Sequence, residues 1–219
     1  MIIEIFEDIV CPWCRIGKKN LEDALANFTA EPVEVHYRAF QLDPYTPTEG
    51  SPFRELMHQK MRADEDRLNG MLQQVTQAGK ASGLHFDFSK VEKMPNTLKA
   101  HQLIAISPKE LKKPVVDALF KAYFEDGKDV GNLDELLTVA EQLGMDREKT
   151  RSLLDAKEGL EQVEDDLEFA RQAGVTGVPF FVINRKYALT GAQPSATLLQ
   201  AIEQISAEQP DENENETES

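Results

Sequence analysis

Ile2-Ile3-Glu4-Ile5-Phe6-Glu7-Asp8-Ile9-Val10-Cys11-Pro12-Trp13-Cys14 is the stretch on which the reading of this chain turns. Residues 2–10 are mostly apolar and rich in isoleucine, the pattern of a strand buried on both faces. The strand runs straight into two cysteines in C-x-x-C spacing, and a helix begins there. Ile16, Leu21, Ala24, Leu25 and Phe28 recur at helical spacing with Lys18, Lys19, Glu22 and Asp23 opposite, and Pro12 suits a first helical position. Residues 32–40 alternate in part and read as a second strand. Two strands joined by a crossover helix lie parallel and side by side, with a right-handed connection.

Working outward, the partners of this parallel pair appear only near the other end. Residues 179–183 read as a strand, 184–186 as a turn, 187–190 as its hairpin mate and 194–205 as a helix. Between them the pattern is almost wholly helical, over 53–61, 68–81, 97–106, 113–123, 133–143 and 159–173. Loop signals separate these pieces at Ser82-Gly83, Ser107-Pro108, Asp126-Gly127 and Gly144-Met145-Asp146. A helical segment is thus set into an α/β unit, and no internal repeat is visible.

The chain has 219 residues, 41% hydrophobic and 29% charged, which suits a folded domain with a substantial core. No apolar run approaches the length of a membrane span. Met1 to Asp8 lacks a positive leader and a small-residue cleavage site, so it does not read as a signal peptide, and the expected location is cytoplasmic. A formal net charge of −15 argues against nucleic acid or an anionic membrane as the main partner. Residues 207–219 are acidic and lack apolar anchors, and are expected to form a disordered tail.

The chemistry follows from where the cysteines stand. A helix N-terminus offers unpaired N–H groups and partial positive charge, which favour a thiolate on Cys11 and make it the expected nucleophile. Cys14 lies one turn along the same helix, placed to attack the mixed disulfide on Cys11 and release the product. A structural zinc site is not expected: it wants about four ligands, and His36, His58, His85 and His101 form no paired motif. Trp13, wedged between the cysteines, is read as facing substrate rather than as a core anchor. Pro12 and Trp13 also influence the redox poise without settling it.

These elements resemble the DsbA family, and within it a cytoplasmic FrnE-like branch. The residues that carry the likeness are Asp8-Ile9-Val10-Cys11-Pro12-Trp13-Cys14-Arg15-Ile16-Gly17-Lys18, Phe40-Gln41-Leu42-Asp43-Pro44, Pro95-Asn96-Thr97 with Ala100-His101, and Gly174-Val175-Thr176-Gly177-Val178-Pro179-Phe180. The resemblance implies an α/β, thioredoxin-like fold with a large all-helical insertion. Residues 1–50 and 169–206 would form the thioredoxin-like part and 51–168 the insertion. It further implies that Val178-Pro179 is a cis peptide beside the cysteines, where the backbone of Val178 pairs with an extended substrate; Pro12, Trp13, Val178 and Pro179 are then the substrate-binding residues. Thioredoxin relatives often keep a buried acid six residues before the first cysteine, and Ile5 stands there in this chain. Glu4, Glu7 or a water is left to serve Cys14.

The expected function is thiol–disulfide exchange with protein or small-thiol substrates, with no resident cofactor, glutathione as a conceivable co-substrate, and glutathione or a thioredoxin-type protein as reductant. The alternative is a glutathione-dependent isomerase or transferase of the 2-hydroxychromene-2-carboxylate isomerase or kappa type. In those relatives a serine replaces the first cysteine, so Cys11 argues against that branch. Asn96 and His101 resemble cleft residues of both, although His101 reads first as a packed helix-face side chain. Phe40, Gln41 and Leu42 are expected to wall a groove beside Trp13.

Overall fold

The computed structural model describes residues 1–208; residues 209–219, most of the expected acidic tail, lie outside it. Strand β1 (Ile2–Glu7) leads into α1 (Pro12–Leu25) and β2 (Glu34–Ala39). Then follow β3 (Ser51–Pro52), α2 (Phe53–Met61), α3 (Glu65–Ala81), β4 (Lys93–Met94), α4 (Leu98–Ile106), α5 (Lys109–Phe124), α6 (Leu133–Gln142), α7 (Arg147–Asp155) and α8 (Leu160–Gln172). The chain closes with β5 (Phe180–Ile183), β6 (Tyr187–Thr190) and α9 (Ser195–Glu208).

The main sheet has the order β2-β1-β5-β6, with β1 parallel to β2 and antiparallel to β5, so β1 is central and hydrogen-bonded on both edges. Its side chains alternate between two environments, as a pleated strand requires. Ile3 and Ile5 pack with Leu21 and Ala24 of α1, Phe181 and Ile183 of β5, and Leu198, Ile202 and Ile205 of α9. On the opposite side Phe6 stacks on Phe169 of α8 with ring centroids 5.5 Å apart, and Ala170, Val175 and Val182 complete that layer. Asn184 and Arg185 both take positive φ, which closes the β5–β6 hairpin in the sense that matches strand twist.

A second core lies under the insertion, where Leu103 of α4, Val116, Leu119 and Phe120 of α5, and Leu136 and Leu137 of α6 are all buried. This DsbA-like α/β architecture agrees with the sequence reading, with four local differences. Strand β1 stops at Glu7 instead of Val10, because the chain turns there: the Cys11 N–H donates to the Asp8 carbonyl at 2.9 Å. The middle is not purely helical, since β3 and β4 pair briefly, Ser51 opposite Met94. Helix α7 lay unseen because its residues are mostly charged and only Thr150 and Leu154 are buried; Asp146 caps it through the Lys149 N–H at 2.7 Å. Helix α9 continues to Glu208, two residues into the segment expected to be tail, and Tyr187 Oη donates to its Glu208 carboxylate at 2.6 Å.

Candidate active site

Cys11 is the N-cap residue of α1, with extended backbone, and Cys14 sits in the first turn; Pro12 stands at the helix start, where its missing N–H leaves no gap. Both cysteines are free thiols. A helix start taken alone is open to solvent, yet Cys11 is only 4% exposed and Cys14 is fully buried. Packing accounts for the difference, because both join Ile9, Val10 and Ile16 in the core that the insertion builds.

The Val178–Pro179 peptide is cis. Its loop meets the cysteines directly: the Cys11 thiol donates to the Val178 carbonyl at 3.6 Å. The same loop packs on α1 at Gly17, where a Cβ would stand 2.7 Å from the Pro179 ring, so only glycine admits this approach. Trp13, between the cysteines in sequence, and Leu42, after β2, keep 43% and 47% of their surface exposed. The Leu42 N–H donates to Asp8 Oδ2 at 2.7 Å, which ties the 40–43 loop to the turn just before Cys11.

Asn96 and His101 prove to be engaged in packing. The Asn96 side chain donates to the Thr46 carbonyl at 2.7 Å and accepts from the Leu98 N–H at 3.0 Å, holding the start of α4. His101 is buried, with Nε2 3.4 Å from Asp8 Oδ1. A groove of about 670 Å³ between α1, β2 and α5 contains neither cysteine. Thiol exchange needs an approachable sulfur rather than an enclosing pocket, so the site is assigned from the cysteines and not from cavity size. Among the described residues no group of three or more histidine, cysteine, aspartate or glutamate side chains is placed to hold a metal ion. Likewise no described helix is long and apolar enough to cross a membrane.

The electrostatics beneath the cysteines could not be read from the sequence. Burial pushes the Cys14 thiol well above its ordinary pKa, and so do its hydrogen bond to Cys11, the charge of that group, and the negative charge of Glu7; the Asp8 backbone opposes them. Glu7 is itself buried, and desolvation raises it to about 8 against the pull of Lys18. Glu4, three residues earlier, differs: Arg38 donates to it from Nε at 2.9 Å and reaches Asp166 of α8 at 3.0 Å. Strand alternation was the available signal, since positions 3, 5 and 7 of β1 share the face toward α1, but without knowing which face held the helix it did not decide between the two glutamates.

The DSBA-like thioredoxin domain family matches residues 2–203. A probable DsbA oxidoreductase from Streptomyces coelicolor is 31% identical, with 96% of this chain and 92% of that one covered and a TM-score of 0.90. The fold alone is shared with two more distant structures. One is the cytosolic disulfide reductase DsbM from Pseudomonas aeruginosa, solved with GSH (15% identity, 94% and 99% covered, TM-score 0.64). The other is a 2-hydroxychromene-2-carboxylate isomerase (16%, 94% and 96%, 0.68). Together with the C-x-x-C at the head of α1, the match over residues 2–203 means that this chain belongs to the DSBA-like thioredoxin-domain family of thiol–disulfide oxidoreductases.

Proposed function

We propose that the protein exchanges disulfides with protein or small-thiol substrates through Cys11 and Cys14. The observation that carries this reading is the placement of the Cys11 sulfur, at the N-cap of α1 and against the Val178 carbonyl, with Cys14 one turn below it. The Cys11 thiolate attacks one sulfur of a substrate disulfide; the S–S bond breaks, one substrate thiolate leaves, and a mixed disulfide remains on Cys11. The Cys14 thiolate then attacks the Cys11 sulfur and expels the second substrate thiolate. Two electrons have passed to the substrate and a Cys11–Cys14 disulfide remains; run backwards, the sequence oxidises a dithiol.

Pro12, Trp13, Val178 and Pro179 form the substrate-facing surface in this reading, with the Val178 backbone pairing with an extended client. Glutathione, or a thioredoxin-type protein, regenerates the dithiol; the GSH in the DsbM structure is a property of that protein and suggests the small thiol to try first. The cytoplasmic, FrnE-like assignment is part of the same proposal. The glutathione-dependent isomerase reading loses ground to Cys11, which stands where that branch carries serine.

The test is an equilibrium titration in glutathione redox buffers, following Trp13 fluorescence and counting thiols by mass, with Cys11→Ser as control. A reversible two-electron transition that the variant lacks is expected. A stable glutathione adduct on Cys11, never resolved by Cys14, would overturn the dithiol mechanism.

A further inference from the structure

The main sheet ends on β2, and part of the outer edge of that strand is left unpaired. The Glu34 and Phe40 N–H groups donate to the Met1 and Glu7 carbonyls, each at 3.0 Å, so the even-numbered residues of β2 turn their amides to β1. The odd-numbered ones therefore point outward. Ala39 is capped by the fold, its N–H donating to Asp166 Oδ2 of α8 at 3.0 Å. The N–H groups of Val35 and Tyr37 have no partner beyond the sheet among the described residues. A bare edge of this kind is a template for another strand.

That stretch of edge lines the groove of about 670 Å³ between α1, β2 and α5, whose walls differ in chemistry. Val33, Val35 and Tyr37 lie on the sheet face that carries Leu21 and Leu25 of α1, and these side chains make one wall apolar. His36 and Arg38 alternate with them on the other face, where Arg38 reaches Asp166 of α8.

The charge of the groove is opposite to that of the chain. Lys18, Arg38, Lys109, Lys112 and Lys113 line it against two carboxylates, Glu22 and Glu34, in a chain of formal net charge −15. Four of these cations hold carboxylates: Lys18 and Lys113 take Glu22 and Asp117, Lys109 takes Glu34, and Arg38 takes Glu4 and Asp166. Lys112 holds none among the described residues, although it is half-buried and desolvation lowers its pKa. An ammonium group placed there is stabilised by an anion from outside the chain.

We propose that this edge of β2 is a docking site for an extended segment of a partner protein in which apolar and acidic residues alternate. The segment adds a strand beside β2 and pairs its backbone with Val35 and Tyr37. Its apolar side chains lie toward Leu21, Leu25 and Val33, and its carboxylates reach Lys112 and Arg38. Because the period of a strand is two, a slip of one residue would set carboxylates on the apolar wall, so the groove also selects register. Neither cysteine nor the Val178–Pro179 loop lines the groove, and a partner bound here leaves the thiol site open.

The experiment titrates the full chain into a fluorescein-labelled peptide, acetyl-Glu-Val-Glu-Val-Glu-Val-Glu-amide, reading anisotropy and following amide hydrogen exchange in β2 by NMR. Saturable binding that weakens as salt rises is expected, with exchange slowed at Val35 and Tyr37 and unchanged at His36, whose amide already serves the β1 ladder. A peptide with lysine in place of every glutamate should bind at least about tenfold more weakly. Valine amides face β2 in an antiparallel arrangement and glutamate amides in a parallel one, so N-methylation should weaken binding about tenfold at one residue type and spare the other. Lys112→Glu should weaken binding of the acidic peptide about tenfold, with turnover of oxidised glutathione unchanged. No saturable binding, or equal binding of both N-methylated peptides, would overturn the added strand. Exchange at Val35 and Tyr37 that the peptide does not alter would place the peptide elsewhere and overturn it too. A dimer in sedimentation that Lys112→Glu dissociates would give the edge to a second copy of this chain, with the same consequence.

Discussion

The sheet core and the insertion core of this molecule are equally dry, yet they do different things for the cysteines. The first packs Ile3, Ile5, Phe181 and Ile183 against Leu198 and Ile202, and includes neither thiol. The second encloses Cys11 and Cys14 together with Leu103, Leu119 and Phe120. Sheet and α1 thus decide where the sulfurs stand, while the insertion sets how far they are desolvated. A family that keeps the first and varies the second has a route to change reactivity without moving the thiols.

The largest effect tests the seam between the two cores, where Glu7 ends the sheet strand facing α1. Its folded pKa of about 8 lies above the ordinary 4.5, so the folded protein binds the proton more tightly than the unfolded chain. The sign is then definite: this group lowers stability progressively as pH rises from about 4.5 to about 8, by on the order of 5 kcal/mol in total. Glu7→Gln removes that dependence. Urea unfolding should find the variant and the native protein close at pH 4 and the variant clearly more stable at pH 8.5; parallel curves across that range would show that Glu7 is ionised and solvated after all.

The next effect separates the two cores directly. Leu119→Ala and Leu198→Ala each empty a fully buried site and should each lose about 3 kcal/mol in urea unfolding. Only Leu119→Ala loosens the core that holds the thiols, so it alone should speed alkylation of Cys14 by iodoacetamide under native conditions. Equal acceleration in both would mean that the insertion has no special hold on the sulfurs.

How much of this is legible in the sequence follows from what a sequence pattern encodes. Alternation and helical spacing report burial of apolar side chains, so the strands around residues 2–7 and 180–190, the C-x-x-C at a helix start and the helical middle all read correctly. Helix α7 escaped because Arg147, Glu148, Lys149 and Arg151 carry no apolar stripe, and it is held by the Asp146 cap and two buried side chains. The state of Cys11 misled for a different reason. A helix N-terminus is open in isolation, and only long-range packing by Val178 and the insertion closes it. Glu7 was visible as one of two glutamates in an apolar strand, but its lack of a partner is a property of three dimensions: Arg38, which serves Glu4, is 34 residues away.

The smallest effect concerns the surface that neither core covers. Trp13 and Leu42 are both nearly half exposed and are held close to Cys11, Trp13 by its place in the first turn of α1 and Leu42 by its N–H on Asp8. Their exposed apolar area adds little to folding, so Trp13→Ala and Leu42→Ala should each shift stability by no more than about 0.5 kcal/mol. If clients rest on them, each substitution removes contact made equally before and during exchange. KM for a peptide disulfide should then rise a few-fold with kcat unchanged, while the small disulfide of glutathione, which spans less surface, should barely notice. A fall in kcat would instead mean that Trp13 shapes the attack by Cys11, and unchanged constants for every disulfide would place the client surface elsewhere on the molecule.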